Sequence, residues 1–272
     1  MGDKASYRGR IAPTPTGYMH LGHARTFLEA QRRSEEMNGQ LFMRIEDLDR
    51  DRCKGLFVDA LEEDLSWVGL SWDPEIVVQS ERLPLYVSVW NRLRAAGWIY
   101  PCRCSRRDVA RATVAPNEGD GESLYPGKCR NLGIELEGER AALGVNWRFR
   151  VPDGEAVRFV DRKMGAQSFV AGSDFGDFIV WRKDGFPAYE LAVVADDVEM
   201  GITEVVRGED LLASTARQLL LYEALGKRPP AFFHCPLVRD RQGRRLAKRD
   251  KALGLRELRT QGVDPEQLEE LW

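Results

Sequence analysis

The sequence lacks any run near the ~20 consecutive apolar residues that a membrane-spanning helix needs. Its opening residues, MGDKASYRGR, also lack the apolar centre of a secretory signal. A cytoplasmic protein without membrane contact is the expectation. Histidine is scarce, with three in 272 residues, and the five cysteines are an odd number that does not suit a disulfide framework. Strong charge of one sign is missing too. A formal net charge of -3 excludes a surface that is basic all over, as a protein gripping nucleic acid on every side would need, but it permits local basic patches. There is no internal repeat and no long low-complexity tract, although TVAPNEGDGES (113–123) is a polar, glycine-rich loop.

What is present is enough apolar material, 43% of residues, to bury one large domain or two ordinary ones. The chain opens strand, helix, strand: GRIAP, then a helix from about Leu21 to Met37 with Leu21, Ala24 and Leu28 on one face, then LFMRIEDLD. Asn38-Gly39 supplies the stop between them. Two further amphipathic helices follow, one carrying Phe57, Ala60, Leu61, Leu65 and Val68, the other Tyr86, Val89, Trp90 and Leu93. This alternation predicts parallel α/β structure. After Tyr100 the texture changes to cysteines, a loop and β-rich runs, VNWRFRV, AVRFVDR and DFIVWRKDGFPAYELAVV, the last with an Asp-Gly hairpin turn. The α/β texture returns in ITEVVRGEDLLASTARQLLLYEALG and AFFHCPLV. The expected organisation is therefore a Rossmann-type domain of residues 1–100 and 190–250, interrupted by an insertion over 101–189 and followed by the start of a helical stem over 251–272.

The first turn, RIAPTPTGYMHLGHA, carries two of the three histidines. Gly17 and Gly22 reduce bulk where a ligand could approach the backbone, and the N–H groups of the helix beginning near Leu21 suit an anion. His20 and His23, three apart, could donate to phosphate oxygens. Taken alone, HLGH fits equally a capped helix with two surface histidines. Similarly, RDRQGRRLAKRDK (239–251) taken alone fits a solvated charged hairpin, and Cys102, Cys104 and Cys129 fit either three thiolates of a zinc site or buried structural thiols.

Co-linearity of several segments adds to these readings. HLGH resembles the HIGH signature of class I aminoacyl-tRNA synthetases, and RIAPTPTGYMHLGHART, FMRIEDLDRDR and VVRGEDLLASTARQ together resemble the glutamyl branch over nearly the whole chain. The resemblance implies that Gly17, His20, Gly22 and His23 hold ATP, with the histidines stabilising its phosphates. It implies a lysine loop usually written KMSKS, here RLAKR (Arg245 to Arg249), with Lys248 at the second lysine and Arg245, Ala247 and Arg249 departing from the pattern. Mg²⁺ is expected with ATP.

Glutamate presents one ammonium and two carboxylates, so its pocket needs an anion and one or two arginines. By resemblance Arg10 and Arg207 hold carboxylates, Glu46 takes the ammonium, Tyr189 adds a hydroxyl, and Ala12 and Thr14 complete the lining. Val193 stands where full-length glutamyl enzymes often have Asn, which implies altered glutamate binding. The resemblance also implies one structural zinc on Cys102, Cys104, Tyr125 and Cys129.

The chain stops at Trp272, short of the anticodon-reading half of the full-length enzymes. This is the pattern of stand-alone members of the branch, which attach glutamate to the queuosine base in the anticodon loop of tRNA(Asp). The expectation is a monomer that activates glutamate with ATP without tRNA, needs no obligate protein partner, and then loads queuosine-bearing tRNA(Asp). A catalytic fragment of a longer enzyme charging tRNA(Glu), and a non-catalytic adenylate- or RNA-binding module, remain open on sequence alone.

Overall fold

The computed structural model describes residues 6–105, 107–109, 124–133, 143–238 and 254–271. It divides into two compact units: Met1–Glu81, Gly201–Glu209 and Pro230–Trp272 form the first, Arg82–Met200 and Asp210–Pro229 the second.

The first unit contains β1 (Arg8–Ile11), α1 (Leu21–Glu36), β2 (Gln40–Ile45), α2 (Gly55–Trp67) and β3 (Ile76–Val78). The second contains α3 (Leu83–Ala95), β4 (Ile99–Cys102), β5 (Asn146–Phe149), β6 (Ala156–Asp161), β7 (Gly165–Val170), β8 (Ile179–Trp181) and α4 (Tyr189–Glu199). The chain returns to the first with β9 (Glu204–Gly208), to the second with α5 (Leu212–Ala224), and again to the first with β10 (Ala231–Cys235) and α6 (Leu255–Thr260).

In the first unit β1 pairs with β2, β2 with β3, and β9 with β10, all in parallel. The Thr203 N–H donates to the Arg8 carbonyl at 2.9 Å and the Arg10 guanidinium to the Val206 carbonyl at 3.2 Å, which places β9 beside β1. The paired strands of this unit form two parallel sheets, β1-β2-β3 and β9-β10, and ligands of such α/β sheets bind beyond the strands' carboxyl ends. Leu21 and Ala24 of α1, Leu65 of α2 and Leu255 of α6 are fully buried in one core with Ile11 and Met43. Asn38 takes the left-handed conformation that ends the first helix (φ 48°). Gly39 is needed for a different reason, since a Cβ there would lie 2.5 Å from the Tyr7 carbonyl oxygen.

The second unit holds the antiparallel sheet β4-β5-β8 and the β6-β7 hairpin. Residues 82–100, 190–200 and 210–229, whose texture groups them with the Rossmann-type domain, lie in this unit. The reason is tertiary. Trp90 of α3 packs on Trp147 of β5 and Trp181 of β8, with ring centroids 5.2 and 5.6 Å away. The Tyr86 hydroxyl donates to Asp196 of α4 at 2.9 Å. The run DFIVWRKDGFPAYELAVV is strand only over β8. Its Asp-Gly turn forms, with the Arg182 N–H donating to the Phe186 carbonyl at 2.8 Å, but from Tyr189 the chain is helical. Because α4 buries Leu191 to Asp197 on all sides, no polar face marks its period, and its β-branched residues read as strand.

One buried charge in the first unit predicts a pH-dependent stability. Asp64 on α2 is 1% exposed, with the Arg256 Nε 3.8 Å away. Burial, opposed by Arg256, pushes its carboxyl up to about 6. The folded chain therefore holds this proton more tightly than the unfolded chain, so Asp64 costs stability as pH rises from about 4 through about 6. Asp64→Asn should stabilise the protein by about 2 kcal/mol at pH 7, with the advantage shrinking below pH 6 and gone near pH 4. Thermal melts across that range check it, and a variant less stable than the parent at pH 7 would show that the Arg256 attraction dominates.

Candidate active site

In the first unit the residues singled out for substrate binding collect at the carboxyl ends of the parallel strands. Arg10 lies on β1, Glu46 directly follows β2, and Arg207 lies near the end of β9; their exposures are 3%, 7% and 4%. The loop after β1 is tied to the end of β2 by the Glu46 N–H, which donates to the Pro13 carbonyl at 3.0 Å. Ala12 is half-buried, Thr14 is exposed with its carbonyl accepting from the Thr16 N–H at 2.8 Å, and Gly17 lies in the bend that follows.

This loop delivers the chain to α1, and the histidine pair builds the helix start. His20 is the N-cap: its Nδ1 accepts from the Gly22 N–H at 3.1 Å, while His23 Nδ1 accepts from the His20 N–H at 3.2 Å. Two histidines thus form the reciprocal capping box usually made by Ser or Thr with Glu, and their rings stack 3.8 Å apart. Each neutral imidazole that accepts through Nδ1 carries its proton on Nε2, so Nε2 is the donor atom of each ring. The first turn carries no acidic side chain, so nothing there offsets the positive end of the helix against an incoming phosphate. Gly22 serves the histidine. A Cβ at that position would meet the His20 ring at 3.1 Å.

Lys248 lies outside the described residues, but the chain on either side of its segment is placed. Before it, the Leu237 N–H donates to Glu209 at 3.0 Å and Val238 is buried in the core. After it, Gly254 bridges His20 and the Leu255 N–H donates to the Met19 carbonyl at 3.0 Å. Gly254 and Leu255, which follow the basic segment in sequence, therefore lie at the histidine turn.

Three partners of these residues escaped the reading of the sequence. Arg44, fully buried on β2, donates through Nη2 to Glu46 at 3.0 Å. A charged residue inside the apolar run LFMRI, two positions from a carboxylate and so on the same strand face, is the signal that marks such a pair. His234, fully buried on β10, accepts from the Arg207 Nε–H at 3.1 Å. The third, Arg148, belongs to the cysteine cluster described below.

In the second unit Tyr189 begins α4 and is 40% exposed, and Val193 is fully buried in that helix. The three cysteine sulfurs lie within 4.8 Å of one another. The Cys104 and Cys129 sulfurs are 3.6 Å apart, and the Tyr125 hydroxyl is 3.4 Å from Cys102 and 3.7 Å from Cys104. A tetrahedral metal bound at ~2.3 Å to sulfur and ~2.0 Å to oxygen has edges of about 3.8 Å between sulfurs and about 3.5 Å between sulfur and oxygen. The cluster fits such an ion. The Cys129 N–H donates to the phenol oxygen at 2.8 Å, and Arg148 donates to the Cys102 sulfur at 3.4 Å while its guanidinium lies 3.9 Å from the Tyr125 ring centre. These contacts favour anionic ligands. Burial pushes the Cys104 thiol up to about 11 and raises the Tyr125 phenol as well, so binding a cation releases protons.

Fold and site together define a class I tRNA synthetase catalytic domain. The chain belongs to that family: the one described as tRNA synthetases class I (E and Q), catalytic domain, matches residues 6–271. Among its relatives are proteins named glutamyl-Q tRNA(Asp) synthetase from Nitratidesulfovibrio vulgaris, 44% identical over 94% of this chain and 82% of the relative, and from Symbiobacterium thermophilum, 45% identical over 95% and 83%. A glutamate–tRNA ligase from Hydrogenobaculum is 40% identical over 96% of this chain and 56% of its own length. The crystal structure of a glutamate tRNA ligase from Elizabethkingia meningosepticum in complex with its amino acid superimposes with a TM-score of 0.77 at 29% identity, covering 90% of this chain and 52% of that one.

Proposed function

We propose that the protein activates L-glutamate with ATP and transfers it to the queuosine base in the anticodon loop of tRNA(Asp), acting in the cytoplasm as a monomer. The observation that carries the reading is the joint placement of Arg10, Glu46 and Arg207 at the carboxyl ends of β1, β2 and β9, beside the histidine-capped start of α1. One anion and two arginines match the ammonium and two carboxylates of glutamate. The 44–45% identity to relatives named for glutamyl-Q tRNA(Asp) synthesis supports the choice of acceptor.

In the first step an oxygen of the glutamate α-carboxylate attacks the α-phosphorus of ATP and pyrophosphate leaves. The Nε2–H groups of His20 and His23, the N-terminus of α1 and the Lys248 ammonium meet the charge that develops on the phosphates. Mg²⁺, bound with ATP, would neutralise the same phosphates. Arg10, Arg207 and Glu46 hold the amino acid, with Ala12 and Thr14 lining the site. In the second step a hydroxyl of the queuosine cyclopentenediol attacks the activated carbonyl, and AMP leaves. Positioning and charge stabilisation suffice, and no protein nucleophile takes part. Cys102, Cys104, Tyr125 and Cys129 would hold a zinc ion, which with four protein ligands would supply fold rather than reactivity.

Glutamate-dependent exchange of pyrophosphate into ATP tests the first step. Exchange is expected with glutamate, without tRNA, and not with glutamine or aspartate. Exchange with another amino acid in preference to glutamate would overturn the pocket assignment.

A further inference from the structure

We propose that His234 is a positioning residue for substrate recognition: its buried imidazole sets the guanidinium of Arg207 in the plane that receives a glutamate carboxylate. The inference rests on the reading of Arg207 as a carboxylate ligand. His234 and Arg207 face each other in register on the parallel strands β10 and β9, and both are buried, at 0% and 4% exposure. The Arg207 Nε lies 3.1 Å from His234 Nε2. A guanidinium has donors only, which fixes the direction of this bond. His234 must offer a lone pair on Nε2, so it is neutral and carries its proton on Nδ1.

The bond has two consequences for recognition. Arginine has one Nε–H and four Nη–H groups. With the Nε–H engaged by His234, a carboxylate is met through the Nη hydrogens at the end of the fork. The guanidinium is also held from one face, because its carbon lies 5.5 Å from the Phe232 ring centre. The same Phe232 ring stands nearly parallel to the His234 ring, 6.3 Å away at 18°. Alternate residues of β10, Phe232 and His234, share one strand face and together fix where the guanidinium lies and how it is turned. Arg has many rotamers to lose on ordering, and a carboxylate gains most from a fork already aligned to it. Because the imidazole acts through Arg207, the effect should fall on glutamate.

The test is pyrophosphate exchange measured against glutamate and ATP separately for the parent, H234L, H234Q and R207A. Leucine fills the space without an acceptor, while glutamine places an amide oxygen near the position of Nε2. H234L should raise the KM for glutamate about tenfold or more, with kcat and the KM for ATP within about twofold, and H234Q should restore glutamate KM to within about threefold of the parent. A glutamate KM for H234L within twofold of the parent would overturn the proposal, as would equal impairment of H234L and H234Q or a loss shared by kcat and ATP. If R207A leaves glutamate KM unchanged, the underlying assignment of Arg207 fails instead. Nitrogen NMR of the parent protein with labelled histidine needs no variant to fold. It should show His234 protonated on Nδ1, and an Nε2–H tautomer would overturn the proposal.

Discussion

Lys248→Ala is expected to slow glutamate-dependent pyrophosphate exchange about a hundredfold while leaving the KM for glutamate within about threefold. The charge of this lysine matters most when the attacked phosphorus carries five oxygens and negative charge moves toward the departing pyrophosphate. A contact made mainly at that point lowers kcat when it is lost, and its removal costs on the order of 3 kcal/mol. The described residues that flank its segment are Val238, buried in the core, and Gly254, which bridges His20. The loop RLAKR keeps positive charge at Arg245, where the family pattern has lysine, so Arg245→Ala should cost less than Lys248→Ala. Exchange at the parental rate by Lys248→Ala would show that the transition-state cation lies elsewhere.

The second large effect concerns the cysteine cluster. Protein purified without chelator should contain one zinc per chain, and Cys129→Ser should lose it. Folding free energy drawn from structural zinc reaches ~10–16 kcal/mol in small zinc-dependent peptides. A serine in place of one thiolate should forfeit several kcal/mol of that, enough to lower Tm by about 10 °C in a chain of this size. Tyr125→Phe keeps all three thiolates and should retain the metal with lower affinity. Elemental analysis and thermal melts with added zinc check both variants. A metal-free parent with the same melting temperature before and after zinc addition would remove the metal from the account and leave the cysteines as buried thiols.

The strand–helix–strand opening was legible because α1 carries a helical apolar stripe between two short runs, β1 and β2, that are buried almost throughout, and because Asn38-Gly39 marks the boundary chemically. The position of the histidine pair at a helix start was legible too. Its capping box was not, since histidine is not the residue type that signals one. Helix α4 was misread as strand because it is enclosed on all sides and shows no amphipathic period. The grouping of 82–100 escaped for another reason: it depends on Trp90 meeting Trp147 and Trp181, contacts across more than fifty residues of sequence that no local pattern encodes. His234 belongs to the same class. A polar residue inside the apolar run AFFHCPLV announces that it needs a partner, but only the β9-β10 register identifies that partner as Arg207.

The acceptor is tested by transfer of radiolabelled glutamate to tRNA(Asp) carrying queuosine, to unmodified tRNA(Asp) and to tRNA(Glu). RNA is recognised in sequence-specific fashion mostly where bases are unstacked and can be splayed into a protein site, and a modified base in an anticodon loop can present its diol hydroxyls in that way. Label is expected on queuosine-containing tRNA(Asp) alone, released with the modified base and not with the terminal adenosine after nuclease digestion. Robust charging of tRNA(Glu) at its terminal adenosine would contradict that expectation in favour of an ordinary glutamyl-tRNA synthetase activity, and absence of both transfer and pyrophosphate exchange would contradict it in favour of a binding module.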